Sequence, residues 1–167
     1  MKIFTGMLLF LMGMICFITM LFHSIQFGIH CGGHMQLAAH ANTIELAKSE
    51  MQQVVSYLQE QGMTNGFTSV LWRVPQEDVG FFYHNMQQSL SELDKVSPTT
   101  TALEKSNMLM KLRETLTTHE GNGVSLAKPA GIYLFPNNVS FAWWGWLSLL
   151  LCALGVILFG IGANENM

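Results

Sequence analysis

The stretch FAWWGWLSLLLCALGVILFGI, residues 141–161, decides the fold, and residues 3–22, IFTGMLLFLMGMICFITMLF, resemble it at the other end of the chain. Neither stretch contains a charged residue. A helix of about 20 residues, rising about 1.5 Å per residue, spans the roughly 30 Å of bilayer hydrocarbon. Both stretches are therefore predicted to be transmembrane helices. The aromatic residues at the start of the second stretch are typical of the headgroup level: Phe141, Trp143, Trp144 and Trp146.

The two apolar stretches divide the chain into four parts. We expect an N-terminal anchor with its juxtamembrane segment over residues 1–30, a helical domain over 31–138, a second membrane helix over 139–163 and a short tail over 164–167. The first apolar run exceeds the core of a signal peptide, which has about 7–15 residues, so an uncleaved anchor is predicted. Lys2 precedes it and no Lys or Arg follows before Lys48. This asymmetry predicts that both termini lie in the cytoplasm and the domain outside it.

Three helices are expected in the domain, because apolar residues recur there at steps of three and four. The first covers about 35–61 and the second about 77–95, where Glu77 and Asp78 suit a helix N-terminus. Thr101 and Glu104 form a capping box that opens the third helix. The predicted apolar face of the first helix includes Leu37, Ala41, Ile44 and Leu58, and that of the third includes Leu103, Leu109, Leu112 and Leu116.

Glycines and turn signals interrupt this pattern. Gly28, Gly32 and Gly33 predict a kink or break before the first domain helix. The run Glu120–Gly123 is expected to end the third helix. Residues 124–126 and 132–135 flank a turn at 128–131 and predict a small β-hairpin or a pair of extended segments. The predicted fold class is therefore mainly α.

The composition limits the function classes. Only 11% of the residues are charged, against about 25% in a soluble domain, and no basic stripe exists that would bind nucleic acid. No nucleophile elbow, phosphate loop or carboxylate pair with a base partner occurs in the sequence, so an enzyme is not expected. The expected partners are the lipid bilayer and either another membrane protein or a second copy of the chain.

Five potential metal ligands follow the first membrane helix: His23, His30, Cys31, His34 and His40. His23, His30 and His34 are seven and four residues apart, so a regular helix would present all three on one face. Imidazole and thiolate are ligands for zinc, copper or haem iron. The alternative is that these histidines are interfacial polar residues that face headgroups or water and hold no cofactor.

A second group of candidates is Trp72, Arg73, Phe81 and Tyr83, in or beside the connection between the first two domain helices. Trp, Tyr and Arg side chains often dominate binding at protein interfaces, so these residues predict a partner-binding surface. The alternative is that one or two of the rings close the core. Phe81 and Tyr83 cannot share one helical face with Phe82, so at least one ring is expected to point away from the core.

Small residues on the second membrane helix form the third group: Gly145, Ser148, Cys152 and Gly155, spaced by three, four and three. Such a seam allows another helix to approach closely. The partner is either the first membrane helix, where Gly6 and Gly13 share a face, or a helix of a second protein.

The layout of helix, extracytoplasmic helical bundle and helix resembles the input region of bacterial chemoreceptors and sensor kinases, and implies the bacterial inner membrane. The short tail leaves no signalling output domain in this chain. We therefore expect a membrane-anchored accessory or scaffold subunit of a membrane complex. Two alternatives stay open: a metal- or haem-handling protein that uses residues 23–40, and a ligand-sensing module.

Overall fold

A computed structural model describes residues 2–120 and 123–164. The chain is mainly helical. Its helices and strands are α1 (Lys2–Phe27), α2 (Gly33–Ala39), α3 (Ile44–Glu60), α4 (Val79–Asp94), α5 (Ala102–Leu116), β1 (Thr117–Glu120), β2 (Gly123–Leu126) and α6 (Asn138–Asn164). A π-helical turn at Gly28–Gly32 joins α1 to α2, and 3₁₀ turns lie at Pro75–Glu77 and Ile132–Leu134. Residues 165–167 of the predicted tail lie outside the described residues, as do Gly121 and Asn122.

Two helices are long and apolar enough to cross a membrane: the continuous helix that contains α1, and α6. Only 11% and 6% of their most apolar windows are buried within the molecule. The core helix of a soluble protein would be largely buried, because burial of its apolar side chains is what stabilises it. These side chains therefore need apolar surroundings from outside the chain, which a bilayer provides.

The helices α1 and α6 pack against each other in antiparallel directions. Gly6, early in α1, lies against Gly155, late in α6. At the other end of the pair, the ring of His23 meets the ring of Phe141 edge-on at 5.3 Å between centroids. This end is where α1 enters the domain and α6 leaves it, and we call it the base of the domain.

The predicted break at the glycines is a π-helical turn instead. Phe27 and Gly33, on either side of the turn, keep right-handed helical backbone angles. The helix therefore continues from α1 into α2, with one wider turn between them. Gly32 and Cys31 are buried in that turn, and the glycines do not end the helix.

The first domain helix, predicted over 35–61, is split in two. It ends at Ala39 and resumes at Ile44, where the hydroxyl of Thr43 accepts a hydrogen bond from the backbone N–H of Leu46 at 3.2 Å. Thr43 is thus an N-cap, and the chain reverses direction between α2 and α3. The domain therefore contains four helices, α2–α5, where three were expected.

The starts of α4 and α5 follow the local signals in the sequence. Asp78 caps α4, because its Oδ1 accepts a hydrogen bond from the backbone N–H of Phe81 at 2.9 Å. The capping box of Thr101 and Glu104 is confirmed in full. Hydrogen bonds from the backbone and side chain of Thr101 hold the pKa of the Glu104 carboxyl below its ordinary value.

The predicted β-hairpin is correct in one strand only: residues 124–126 lie in β2, but they pair with β1 and not with 132–135. Strands β1 and β2 pair antiparallel with Thr117 opposite Leu126, so α5 ends at Leu116. The predicted second strand, 132–135, is a 3₁₀ turn with Ile132 fully buried. Thr117 and Thr118 are β-branched residues, which favour a strand at the position of β1.

The core lies between α2, α3, α4 and α5. Helix α3 contributes buried side chains along its whole length, from Ile44 to Leu58. Helices α4 and α5 pack beside it and run in opposite directions. Lys48 of α3 pairs with Asp94, and Lys111 of α5 pairs with Glu92, so α4 ends away from the base. The largest fully buried side chains are Phe27, Met35, Met51, Leu58, Met86, Leu116 and Ile132.

Candidate functional site

The five potential metal ligands do not come together. Within residues 2–120 and 123–164, no group of three His, Cys, Asp or Glu side chains could hold a metal ion. The prediction of one shared face assumed a regular helix from His23 to His34. The π-helical turn adds one residue between them and rotates the following side chains by about 100°.

Each of the five side chains has a local environment of its own. His23 meets Phe141, and His30 stacks on Tyr57 at 6.0 Å between ring centroids. Cys31 is fully buried. The remaining two make hydrogen bonds through Nδ1: His34 with Glu50 Oε2 at 2.6 Å, and His40 with the carbonyl oxygen of Gln36 at 2.8 Å. The geometry supports packing and pairing roles for them.

The small-residue seam of α6 is largely occupied by α1. A Cβ at Gly155 would lie 2.7 Å from the carbonyl oxygen of Gly6, and one at Gly13 would lie 2.9 Å from the carbonyl oxygen of Ser148. Cys152 Sγ points at the carbonyl oxygen of Phe10 at 4.0 Å. Gly145 has open space at its Cβ position. The close approach thus uses Ser148, Cys152 and Gly155, and Gly145 takes no part in it.

The three consecutive rings of α4 divide between surface and core. Phe81 is 65% exposed, whereas Phe82 and Tyr83 are buried. The hydroxyl of Tyr83 accepts hydrogen bonds from Gln59 Nε2 at 2.6 Å and Gln87 Nε2 at 2.7 Å. The prediction that Tyr83 lies on a partner-binding surface is therefore wrong, because its ring packs on α3 and its hydroxyl is already paired. Phe81 is the ring that points away from the core.

Beside Phe81 lies a cleft of about 310 Å³ between α4, α5 and the segment after β2. Phe82 and Met86, both buried, form its apolar floor. Its rim includes Asn85 and Thr115. An exposed ring beside an apolar floor with polar groups at the rim is the arrangement that anchors a partner side chain at an interface.

The segment between α3 and α4 forms a closed loop over residues 69–76. The carbonyl oxygen of Gly66 accepts a hydrogen bond from the backbone N–H of Val79, and that of Glu77 accepts one from Thr68, both at 2.9 Å. Gly66 has φ of 112°, and a Cβ there would lie 2.9 Å from the ring of Phe135. Only glycine combines this backbone angle with so close a contact. Residues 66–68 and 77–79 are the neck of the loop.

Asn138, the first residue of α6, holds the neck. Its Nδ2 donates to the carbonyl oxygens of Phe67 at 3.2 Å and Thr68 at 2.9 Å. Asn138 is buried, with 6% of its surface exposed. The hydroxyls of Thr68 and Ser69 are buried without a partner among the described residues. The backbone pair and Asn138 therefore fix the neck, and the loop hydroxyls do not.

The tip of the loop is apolar and exposed. Leu71 is 76% exposed and Trp72 78%, with Val70 and Val74 each at 39%. The guanidinium carbon of Arg73 lies 5.3 Å from the centroid of the Phe67 ring, so the charge packs against the neck. The sequence identified Trp72 and Arg73 but missed Asn138, since a contact between residues 70 positions apart leaves no local pattern.

A larger cleft of about 750 Å³ lies between the end of α2, α5 and the hairpin. Its volume is within the range of ligand pockets. Arg113 lines it, but Arg113 Nε already donates to the carbonyl oxygen of Ala39 at 2.9 Å. Arg113 thus holds the end of α2, and the other polar residues that line the cleft are Gln36, His40, Glu114, Thr117 and Ser125. The ligand-sensing alternative stays a prediction.

No family model, curated protein or solved structure matches this chain. The assignment of a function therefore depends on the geometry of its own residues.

Asn138→Ala is expected to lower the free energy of unfolding by about 2 kcal/mol, since it removes the side-chain donor from two carbonyl oxygens at the neck. The measurement is urea denaturation of the full chain in detergent micelles, followed by Trp emission. Asn137→Ala is the matched control, because Asn137 is the exposed neighbour. Equal effects of the two substitutions would contradict the assigned role of Asn138.

Proposed function

We propose that this chain is a two-pass membrane protein of the bacterial inner membrane that holds its helical domain outside the cytoplasm, as a non-enzymatic accessory or scaffold subunit of a membrane complex. The exposed apolar surfaces of α1 and α6 support the membrane location. The position of Lys2, with no further Lys or Arg before Lys48, supports an N-terminus in the cytoplasm. The antiparallel pairing of α1 with α6 brings both ends of the chain to the same side.

The observation that carries the proposal is the continuous helix from α1 into α2. Helical backbone angles persist through the π turn, and Cys31 and Met35, which follow α1 directly, are fully buried in the domain core. The domain is therefore joined to its membrane helix without a flexible linker. A partner bound to such a domain is held at a fixed height and orientation over the bilayer, which is the physical requirement for a scaffold.

The best-supported contact surface for a protein partner is Phe81 with its adjacent cleft. Because α1 occupies the seam of α6, a partner that used Ser148, Cys152 and Gly155 would have to displace α1 first. Phe81 needs no such displacement, since 65% of its surface is already exposed. An exposed aromatic residue beside a small apolar cleft is a common anchor in protein interfaces.

The test is photo-crosslinking in native membranes with a benzophenone side chain at position 81. We expect a discrete crosslinked species that contains either another membrane protein or a second copy of the chain. Leu103 is the control position, since it is 71% exposed and lies at the start of α5, far from the base. A monomeric chain without crosslinks at position 81, or equal crosslinking at both positions, would contradict the proposal.

A further inference from the structure

We propose that residues 69–74 of the loop are a third membrane contact of this chain: Val70, Leu71 and Trp72 insert into the lipid headgroup region beside α6, and Arg73 binds lipid phosphate there. This inference rests on the proposed two-pass topology. It assigns the loop to the bilayer and leaves the Phe81 surface for a protein partner.

The first argument is where the neck of the loop is fixed. Asn138 is both the first residue of α6 and the residue that hydrogen-bonds the carbonyl oxygens of Phe67 and Thr68. The neck thus lies at the level where the second apolar helix begins. Gly66, on the same strand of the neck as Phe67 and Thr68, lies next to the ring of Phe135 in the segment that enters α6. The loop is consequently part of the base, the end of the domain next to the bilayer.

The second argument is reach. Asn138 precedes Trp143 by five residues and Trp146 by eight, which is about 7.5 Å and 12 Å along a helix axis. Trp143, Trp144 and Trp146 are all exposed, as expected of rings at the headgroup level. Four residues of extended chain, from Thr68 to Trp72, reach up to about 13 Å. The loop is therefore long enough for Trp72 to join the level of the other tryptophans.

The third argument is chemistry. Leu71 and Trp72 are more than three-quarters exposed, although they lie at the tip of a loop with no role in the core. Trp is the side chain most typical of the bilayer interface, because its ring is apolar and its N–H remains available to water or headgroups. Arg73 supplies a cation next to the apolar tip, and guanidinium binds phosphate with two parallel hydrogen bonds. An apolar tip next to a cation is the composition of an interfacial anchor.

The test uses Trp72 as a fluorescent reporter. The chain has four tryptophans, so Trp143→Phe, Trp144→Phe and Trp146→Phe together leave Trp72 alone. This variant is reconstituted as the full chain into phosphatidylcholine vesicles, with brominated lipid as the quencher in the bilayer and iodide as the quencher in water. The matched control adds Trp72→Phe and Leu103→Trp, which moves the reporter to an exposed site far from the base.

We expect brominated lipid to quench most of the Trp72 emission and little of the emission from position 103, because burial of one large apolar side chain favours the inserted loop by about tenfold or more. Iodide should show the reverse order. Anionic phosphatidylglycerol should increase the protection of Trp72 from iodide, and Arg73→Gln should abolish that increase. The inference would be overturned if iodide quenched Trp72 as much as the indole at position 103. It would also be overturned if neither iodide nor brominated lipid quenched Trp72.

A second variant separates failure of this inference from failure of the topology. Trp72→Phe alone keeps Trp143, Trp144 and Trp146 as reporters of α6. If brominated lipid quenches these three rings but not Trp72, the helix is in the bilayer and the loop is not, so only the inference is overturned. If brominated lipid quenches neither Trp72 nor the three rings of α6, the two-pass topology fails, and the inference fails with it.

Discussion

Gly155→Leu is expected to destabilise the pairing of α1 with α6 by about 3 kcal/mol, the upper end of the usual cost of overpacking. A Cβ at this position would lie 2.7 Å from the carbonyl oxygen of Gly6 and 3.1 Å from the backbone nitrogen of Phe10. Both atoms belong to the backbone of α1, so no side-chain rotation relieves the contact. The two helices must move apart, and the neighbouring contact of Gly13 with Ser148 weakens with them.

The measurement is an SDS titration of the full chain in mild detergent micelles, followed by Trp emission. Gly160→Leu is the matched control, because Gly160 lies on the same helix with open space at its Cβ position. Both substitutions gain helix propensity of about 1 kcal/mol, so their difference isolates the contact with α1. Equal midpoints would contradict the pairing. A change of oligomeric state at an unchanged midpoint would mean that Gly155 instead contacts a second chain.

Gly145→Leu tests the limit of the seam in the same assay. Spacing alone groups Gly145 with Ser148, Cys152 and Gly155. The structure separates them, since no described atom lies within 4 Å of the Cβ position of Gly145, although α1 and α6 meet again at His23 and Phe141. Gly145→Leu should therefore behave like Gly160→Leu. Helical spacing identifies which residues share a face, but it does not show which of them the neighbouring helix approaches closely.

Local signals were the reliable part of the sequence. The capping box at Thr101 and Glu104 and the acidic cap of α4 each involve residues within one turn of each other, and each of the two uncharged stretches is a continuous segment. Their physical cause is therefore contained in a short segment. The split at Thr43 had such a signal too, since Thr is a good N-cap, but the apolar periodicity on both sides of it favoured one long helix.

Errors in the predicted core came from the ends of helices. Leu37 is 57% exposed because it precedes the reversal at residues 40–43, after which α3 follows a new register. Leu103 is 71% exposed because Lys111 pairs with Glu92 near the end of α4, so the first turns of α5 extend beyond α4. Periodicity shows the apolar face of a helix, and only the neighbouring helix determines how much of that face is covered.

The candidate site could be predicted only in its composition. Trp72, Arg73 and Phe81 stand out as an aromatic and cationic group, and all three are exposed. Their separation into a loop at the base and a ring beside a cleft depends on the hydrogen bonds of Asn138 and on the packing of Phe82 and Tyr83. Those contacts join residues far apart in the chain. The sequence therefore gives the residues of the site, while the fold assigns them to two surfaces.

Leu58→Ala is expected to lower the free energy of unfolding of the domain by about 3 kcal/mol, within the usual range for a buried leucine. Leu58 is fully buried near the end of α3, beside the base. It belongs to the same core cluster as Phe27, Val79 and Ile132. Since the helix is continuous from α1 into α2, we expect limited relaxation around position 58, and the cost should not approach the lower end of the range.

Leu46→Ala provides the matched control for Leu58→Ala, because Leu46 lies on the same helix and is 48% exposed. It should change the free energy of unfolding by about 0.5 kcal/mol or less, as surface substitutions usually do. The measurement is urea denaturation of the full chain in detergent micelles, followed by circular dichroism. The micelle maintains the helicity of α1 and α6, so the loss of signal reports on α3, α4 and α5. If Leu58→Ala were no more harmful than Leu46→Ala, residues 44–60 could not form the central helix of the domain with the face described.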